Sequence, residues 1–327
     1  MTILHACHGE PCRPLEGVLP IVHVPFDAAD RIATADLRRE VDWVFSVGAA
    51  GLGTGMVSEI TWLSAAERAW LAATLVELTA GRGSVFMSVG AESGAVAAEH
   101  ARSAERAGCD AVMAVPPIAA RLSAAALVDY FREIAESISL PLVVQDASGY
   151  VGQPIPHAAC VDLLDRYGPD KILFKPEAAP LGPNLSLLRD ATGGRGRIFE
   201  GSGGILLVDA YRRGIAGTMP GVDLLDGVVA LWRALRTGDD DAAYAIALPL
   251  SGVVALEMQA GLDGFLAIEK YLLVKRGLFS SARRRGPVGW SLDDETAREV
   301  DRLVARLSAA VSAHGGTLEA VPCGTRS

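Results

Sequence analysis

Lysine and aromatic residues are scarce in this chain. Only four lysines, Lys171, Lys175, Lys270 and Lys275, occur in 327 residues, and Phe, Trp and Tyr together make up 6%. Positive charge is also in deficit, with 30 Lys and Arg against 39 Asp and Glu, a net charge of -9. A surface of that sign repels a phosphate backbone, which excludes nonspecific nucleic-acid binding. Arg283, Arg284 and Arg285 form the local exception, and three charges make a weak patch that reads as a solvated loop. The five cysteines include no C-x-x-C pair, and Cys7, Cys12 and Cys323 lie near the ends. Neither a zinc site nor a disulfide framework is indicated, which fits a reducing cytoplasm. The opening MTILHACHGEPCRPLEG places His, Glu and Pro where a signal peptide needs an apolar core. No later stretch reads as a run of about 18 apolar residues, so no membrane association is expected.

Hydrophobic residues make up 50% of the chain, chiefly Ala, Val and Leu, a composition suited to helices packed on a buried parallel sheet. Short apolar runs alternate with helical patterns at a period of roughly 30 residues, the signature of βα units. Eight strands are expected, at Val18 to Val24, Ala49 to Thr54, Ser84 to Val89, Ala111 to Val115, Leu140 to Gln145, Lys171 to Lys175, Arg197 to Glu200 and Gly217 to Met219. Ser64 and Glu67 form an S-x-x-E capping box, after which Trp70, Leu71, Leu75 and Leu78 recur at helical spacing. Ala97, Ala98, Ala101 and Ala104 mark the next helix, which stops at Gly108. The expected fold class is α/β, a (β/α)8 TIM barrel over 16–236, with three further helices near 238–258, 262–277 and 292–313 forming a C-terminal extension over 237–314. Residues 1–15 and 315–327 read as loosely ordered ends. The alternative of a dinucleotide-binding open sheet finds little support, because Gly51 to Gly55 reads G-x-G-x-G after the second strand, without an acidic partner on a later one.

Barrel enzymes carry reactive groups at the carboxyl ends of their strands. Lys175, in ILFKPE, is the lysine that ends a strand-like run. At a barrel mouth an amine loses solvation and becomes able to attack a carbonyl. Glu177 shares its face if the chain stays extended through Pro176, as a proton shuttle or as a counter-ion. Asp146 is the second candidate for proton transfer. Other polar strand ends are His23, Glu59, Gln145, Glu200 and Ser202. Of these, His23 lies in an apolar run where core burial is the commoner fate, and Glu59 is able to hold its loop by hydrogen bonds. The turn Gly201 to Gly204 is either an anion-binding loop or a permissive connection.

The segments GVLPIVHVPFD, GMVSEITWLSAAER, AERAGCDAVMAVPP, LPLVVQDASGYVG, ILFKPE, GIAGTMPG and EKYLLVKRGLF, in this order, resemble the dihydrodipicolinate synthase and N-acetylneuraminate lyase family from Gly17 to Pro287. The resemblance implies a (β/α)8 barrel with C-terminal helices, a homotetramer or homodimer, and a Schiff base between Lys175 and a 2-keto acid, with no added cofactor or metal. The chain departs from the pattern at several positions. Met56 and Val57 stand where the family has a threonine pair, and Gln145 replaces the proton-relaying tyrosine. Ile118 falls near the relay tyrosine of a neighbouring subunit, and Tyr150 near the arginine of the synthases. The resulting expectation is an aldolase or a dehydratase/hydratase distinct from the usual synthase. Its catalytic residues would be Lys175, Asp146 and Glu177, and its binding residues Gln145, Val57, Ser58, His23, Glu200, Gly201 and Met219. The alternative is a barrel that binds a small acid without turnover.

Overall fold

The computed structural model describes residues 6–7, 10–11 and 15–316. Within the N-terminal segment Ala6–Cys7 pairs antiparallel with Glu10–Pro11. The expected tail beyond 316 lies outside the described residues.

Eight parallel strands follow: β1 (Gly17–Val18), β2 (Gly51–Gly53), β3 (Ser84–Ser88), β4 (Ala111–Ala114), β5 (Leu142–Asp146), β6 (Ile172–Pro176), β7 (Arg197–Glu200) and β8 (Gly217–Thr218). Strands β2 to β8 pair in sequence order, β8 returns to β1, and Ile21 bridges to both Gly53 and Gly221, closing a TIM barrel. The first and last strands are shorter than expected, and Ile21 carries the seam beyond the end of β1. Alternation sorts the side chains. Leu19, Phe86, Met113, Val143, Leu173 and Phe199 fill the barrel, whereas Leu142, Val144, Ile172 and Phe174 face the helices.

Helices α1 (Thr34–Ser46), α2 (Ala65–Thr79), α3 (Gly94–Ala107), α4 (Ala124–Ser137), α5 (His157–Tyr167), α6 (Leu181–Ala191), α7 (Leu207–Arg212) and α8 (Leu225–Thr237) form the outer layer. The capping box of α2 is made, with Glu67 N–H donating to Ser64 Oγ at 3.2 Å and Ser64 N–H to Glu67 Oε2 at 2.9 Å. Leu71, Leu75 and Leu78 are buried as the spacing requires, but Trp70 is exposed, because one residue of that run falls off the core-facing stripe. Helix α3 ends at Gly108, whose φ of 89° is the left-handed conformation that glycine adopts without strain.

The extension consists of α9 (Asp240–Met258), α10 (Gly261–Lys275) and α11 (Asp294–Ala313), close to the expected spans. Contrary to the expectation of no such run, α9 is long and apolar enough by length and composition to cross a membrane, with mean hydropathy 1.3. Its buried residues Ala243, Ile246, Leu250, Val253 and Val254 belong to the main core, and the helix packs on α8, α10 and α11, as a core helix does.

Helix α10 reaches back across the barrel mouth. Lys270, fully buried, donates to the carbonyls of Val24 and Arg283, both at 2.9 Å, and also to the Glu59 carboxylate. Glu59 has a φ of 52° and also accepts the Arg285 N–H at 2.9 Å. The guanidinium of Arg285 pairs with Glu67 and lies 4.5 Å from the centre of the Phe26 ring. Arg284 is held by Asp263 and the Trp290 carbonyl. The arginine run is therefore no solvated loop, since two of its members are fixed in partly buried contacts, and Arg283, paired with Asp30, is the more exposed one.

Candidate active site

Strand β6 stays extended through Pro176, so Lys175 and Glu177 leave it on the same side. Lys175 Nζ donates to Glu177 Oε1 at 3.0 Å, and both residues are 3% exposed. Glu177 Oε2 accepts from Gln145 Nε2 at 2.6 Å and from the Tyr150 hydroxyl at 3.0 Å. Gln145 is registered directly against Lys175 on β5, and its amide nitrogen also donates to the phenol oxygen at 3.2 Å. Burial and the adjoining Glu177 carboxylate push the Tyr150 hydroxyl well above the usual phenol range, so it is a proton donor throughout the physiological interval. Gln145 Oε1 has no hydrogen-bond partner among the described residues.

Gly201, at the end of β7, makes room for this arrangement. A methyl group there would lie 2.3 Å from Lys175 Cε and 2.8 Å from both Nζ and Glu177 Oε1. The amine and its carboxylate border a cavity of about 120 Å³ with Val57, Tyr150, Gly201 and Met219. Helix α10 supplies another wall through Leu262, Phe265 and Glu269.

The structure divides the expected site residues. Lys175, Glu177, Val57, Gly201 and Met219 line the cavity, and Gln145 stands behind Glu177. Asp146 does not face Lys175. The strand period turns it outward, where its oxygens accept the N–H groups of Ser148 at 3.0 Å and Ile155 at 2.8 Å beside a separate cavity. Glu200 is also turned out of the barrel, accepting from Thr218 Oγ1 at 2.5 Å and Ser202 N–H at 2.8 Å, and burial raises its carboxyl above the ordinary range. Ser58 fixes the loop after β2, accepting from Gly55 N–H at 3.0 Å and donating to the Val22 carbonyl at 2.5 Å. His23 is fully buried between Glu40 and Glu269, off the cavity wall. In the turn after β7 the Ser202 N–H is taken by Glu200, Gly203 and Gly204 have φ of 64° and 86°, and Gly201, Ser202 and Gly203 border the cavity. Lys171 and Lys275 are spent elsewhere, on the Ile138 and Leu140 carbonyls and on Asp301.

Among the cavity residues that escaped sequence reasoning are Tyr150 as a donor to Glu177, Leu262, Phe265 and Glu269. A signal existed for the last, because Glu269 and Lys270 interrupt the otherwise apolar run GFLAIEKYLLV.

The dihydrodipicolinate synthetase family profile matches residues 14–307. The chain belongs to this family. The chain is similar to the L-2-keto-3-deoxyarabonate dehydratase of Azospirillum brasilense, 28% identical over 300 residues that cover 89% of this chain and 94% of the relative. The 4-hydroxy-tetrahydrodipicolinate synthase of Brucella abortus is 32% identical over 136 residues, a match spanning 41% of this chain and 46% of that one. Among solved structures, dihydrodipicolinate synthase from Rhodopseudomonas palustris superposes with a TM-score of 0.81 at 29% identity, covering 90% of this chain and 98% of the other. A family protein of an E. coli K12 prophage, solved in complex with pyruvate, shares the fold with a TM-score of 0.79 at 21% identity, over 89% and 98% of the two chains. The protein is accordingly a Schiff-base lyase of the dihydrodipicolinate synthetase family. Tyr150 brings its hydroxyl to the Gln145 amide from five residues along the chain.

Proposed function

We propose that the protein dehydrates a 2-keto-3-deoxy sugar acid through an imine on Lys175. The observation that carries this reading is the buried Lys175–Glu177 pair, 3.0 Å apart and open to the cavity. An imine at C2 makes Lys175 an electron sink, and the carbon next to it, C3, then becomes acidic. A carboxylate within hydrogen-bond reach of the lysine nitrogen is placed to take a proton from C3. Aldol cleavage needs a base on the C4 hydroxyl instead. The 28% identity to a keto-deoxyarabonate dehydratase over most of both chains supports dehydration. Met56 and Val57 present apolar side chains to the cavity beside the Lys175–Glu177 pair. Tyr150 and Gln145 hold the far oxygen of Glu177, which fixes the carboxylate's orientation.

The test is reductive trapping. With borohydride and 2-keto-3-deoxyarabonate or pyruvate, the protein should gain one adduct, located on Lys175, and Lys175→Ala should gain none. Without borohydride the keto-deoxy acid should lose one water with its carbon chain intact. Release of pyruvate would replace dehydration by aldol cleavage, and reversible binding with no adduct would reduce the protein to a binding barrel.

A further inference from the structure

Leu262, Phe265 and Glu269 recur at helical spacing on α10, so one face of that helix offers the cavity two apolar side chains and one carboxyl. This is the wall that the amine and Glu177 do not supply. Glu269 Oε2 lies 2.7 Å from His23 Nε2. The other ring nitrogen is 3.3 Å from Glu40 Oε1, and the His23 backbone N–H donates to the same oxygen at 2.8 Å. Glu269 Oε1 stands over Gly221, where an added methyl would come within 2.6 Å of it and of Asp223 Oδ1. Glycine at that place leaves the oxygen access to the cavity, and Gly221 is itself part of the lining.

The groups facing this carboxyl are His23, Glu40, Asp223, Glu257 and Tyr150. Burial raises Glu269 to about 7, against the pull of His23 and with help from the Asp223 and Glu40 carboxylates. His23 loses solvation, which opposes its charge, but Glu269 and Glu40 outweigh that and raise it to about 10, so it remains an imidazolium. At neutral pH Glu269 exists in both forms, as a proton donor in turnover must.

We propose that Glu269 is the acid that protonates the departing C4 hydroxyl, with His23 and Glu40 as positioning residues, so that the cavity selects 2-keto acids bearing a hydroxyl two carbons from the carbonyl. The inference rests on the dehydratase reading above. In the step, Glu177 takes a proton from C3, and that bond's electron pair forms the C2–C3 double bond of the enamine. The pair displaced onto nitrogen then returns to restore C2=N while the C2–C3 pair shifts to make C3=C4 as the C4–O bond breaks. The leaving oxygen takes the Glu269 proton and departs as water, leaving Glu269 a carboxylate. Hydrolysis of the unsaturated iminium frees Lys175.

Glu269→Gln tests this by separating the two half-reactions. The variant should still trap keto acid on Lys175 and exchange C3 hydrogen with deuterated solvent, while dehydration slows by about 10² to 10⁴. Dehydration at the wild-type rate, or a parallel loss of exchange and dehydration, would overturn the assignment. If the variant misfolds, the wild-type pH profile decides. Dehydration should fall about tenfold per pH unit above 7 while exchange does not, and identical profiles for the two would exclude Glu269 as the acid. A wild-type protein that traps and exchanges without losing water would refute the dehydratase reading instead.

Discussion

Gly201→Ala is a direct probe of how closely the reactive amine lies on the chain. The methyl would sit 2.3 Å from Lys175 Cε, and Gly201 is not among the left-handed glycines. We expect the imine adduct to disappear on mass analysis while the thermal midpoint stays near wild type. Tyr150→Phe removes one donor from the Glu177 carboxylate. A hydrogen bond to a charged group is worth about 1.5–3 kcal/mol, so kcat should fall roughly ten- to hundredfold with trapping retained; unchanged kcat would deny the phenol a role. Lys175 was legible in the sequence because lysine is rare and this one ends an apolar run. Glu177 was left open there because Pro176 clouds the backbone, and the extended strand resolves it. Asp146 and Glu200 misled because being at a strand end says nothing of which face a side chain takes. One step of the pleat separates Gln145, beside Glu177, from Asp146, behind the sheet.

At the level of elements, the helices were readable from periodicity and caps, and α9 to α11 fall within a few residues of their expected spans. What could not be read was where α10 docks. That depends on an ion pair 211 residues apart in the chain, Lys270 with Glu59, and on the Arg285 backbone that completes it. Both partners of the pair are essentially inaccessible to water. Lys270→Met would leave Glu59 charged, buried and without its cation, a loss of about 3–5 kcal/mol in urea unfolding. Adding Glu59→Gln to the same chain should recover part of that loss, and a larger deficit in the double variant would mean that the pair is not the latch. On α11, Leu307 is fully buried, and Leu307→Ala should cost about 2–5 kcal/mol by the same measurement.

For the molecule as a whole, the buried titratable groups set a direction for stability against pH. Burial raises Glu269 to about 7 and raises Glu40, Asp223 and Glu257 as well, so each binds its proton more tightly folded than unfolded. That contribution is complete below the ordinary carboxyl range and is lost as pH climbs toward 7. His23, raised to about 10, contributes fully below 6.5 and loses its share as pH approaches 10. Glu67, lowered to about 2, changes only in acid; His100, lowered by burial and by Arg68, opposes the decline below 6.5 as a single group, and Lys171, lowered by burial to about 8, does so only above that pH. The thermal midpoint should therefore decline from pH 5 to pH 8, and a midpoint that rises over this interval would show that the carboxyls are not buried as described. Helix α10 has a last consequence, for dissection of the chain. A fragment ending after α8 would keep every strand and the reactive amine, yet its ligand chamber would stand open on one side, with the Glu59 carboxylate stranded and Glu269 gone. Any attempt to find a minimal catalytic barrel here should keep the chain through Arg285, which completes the latch.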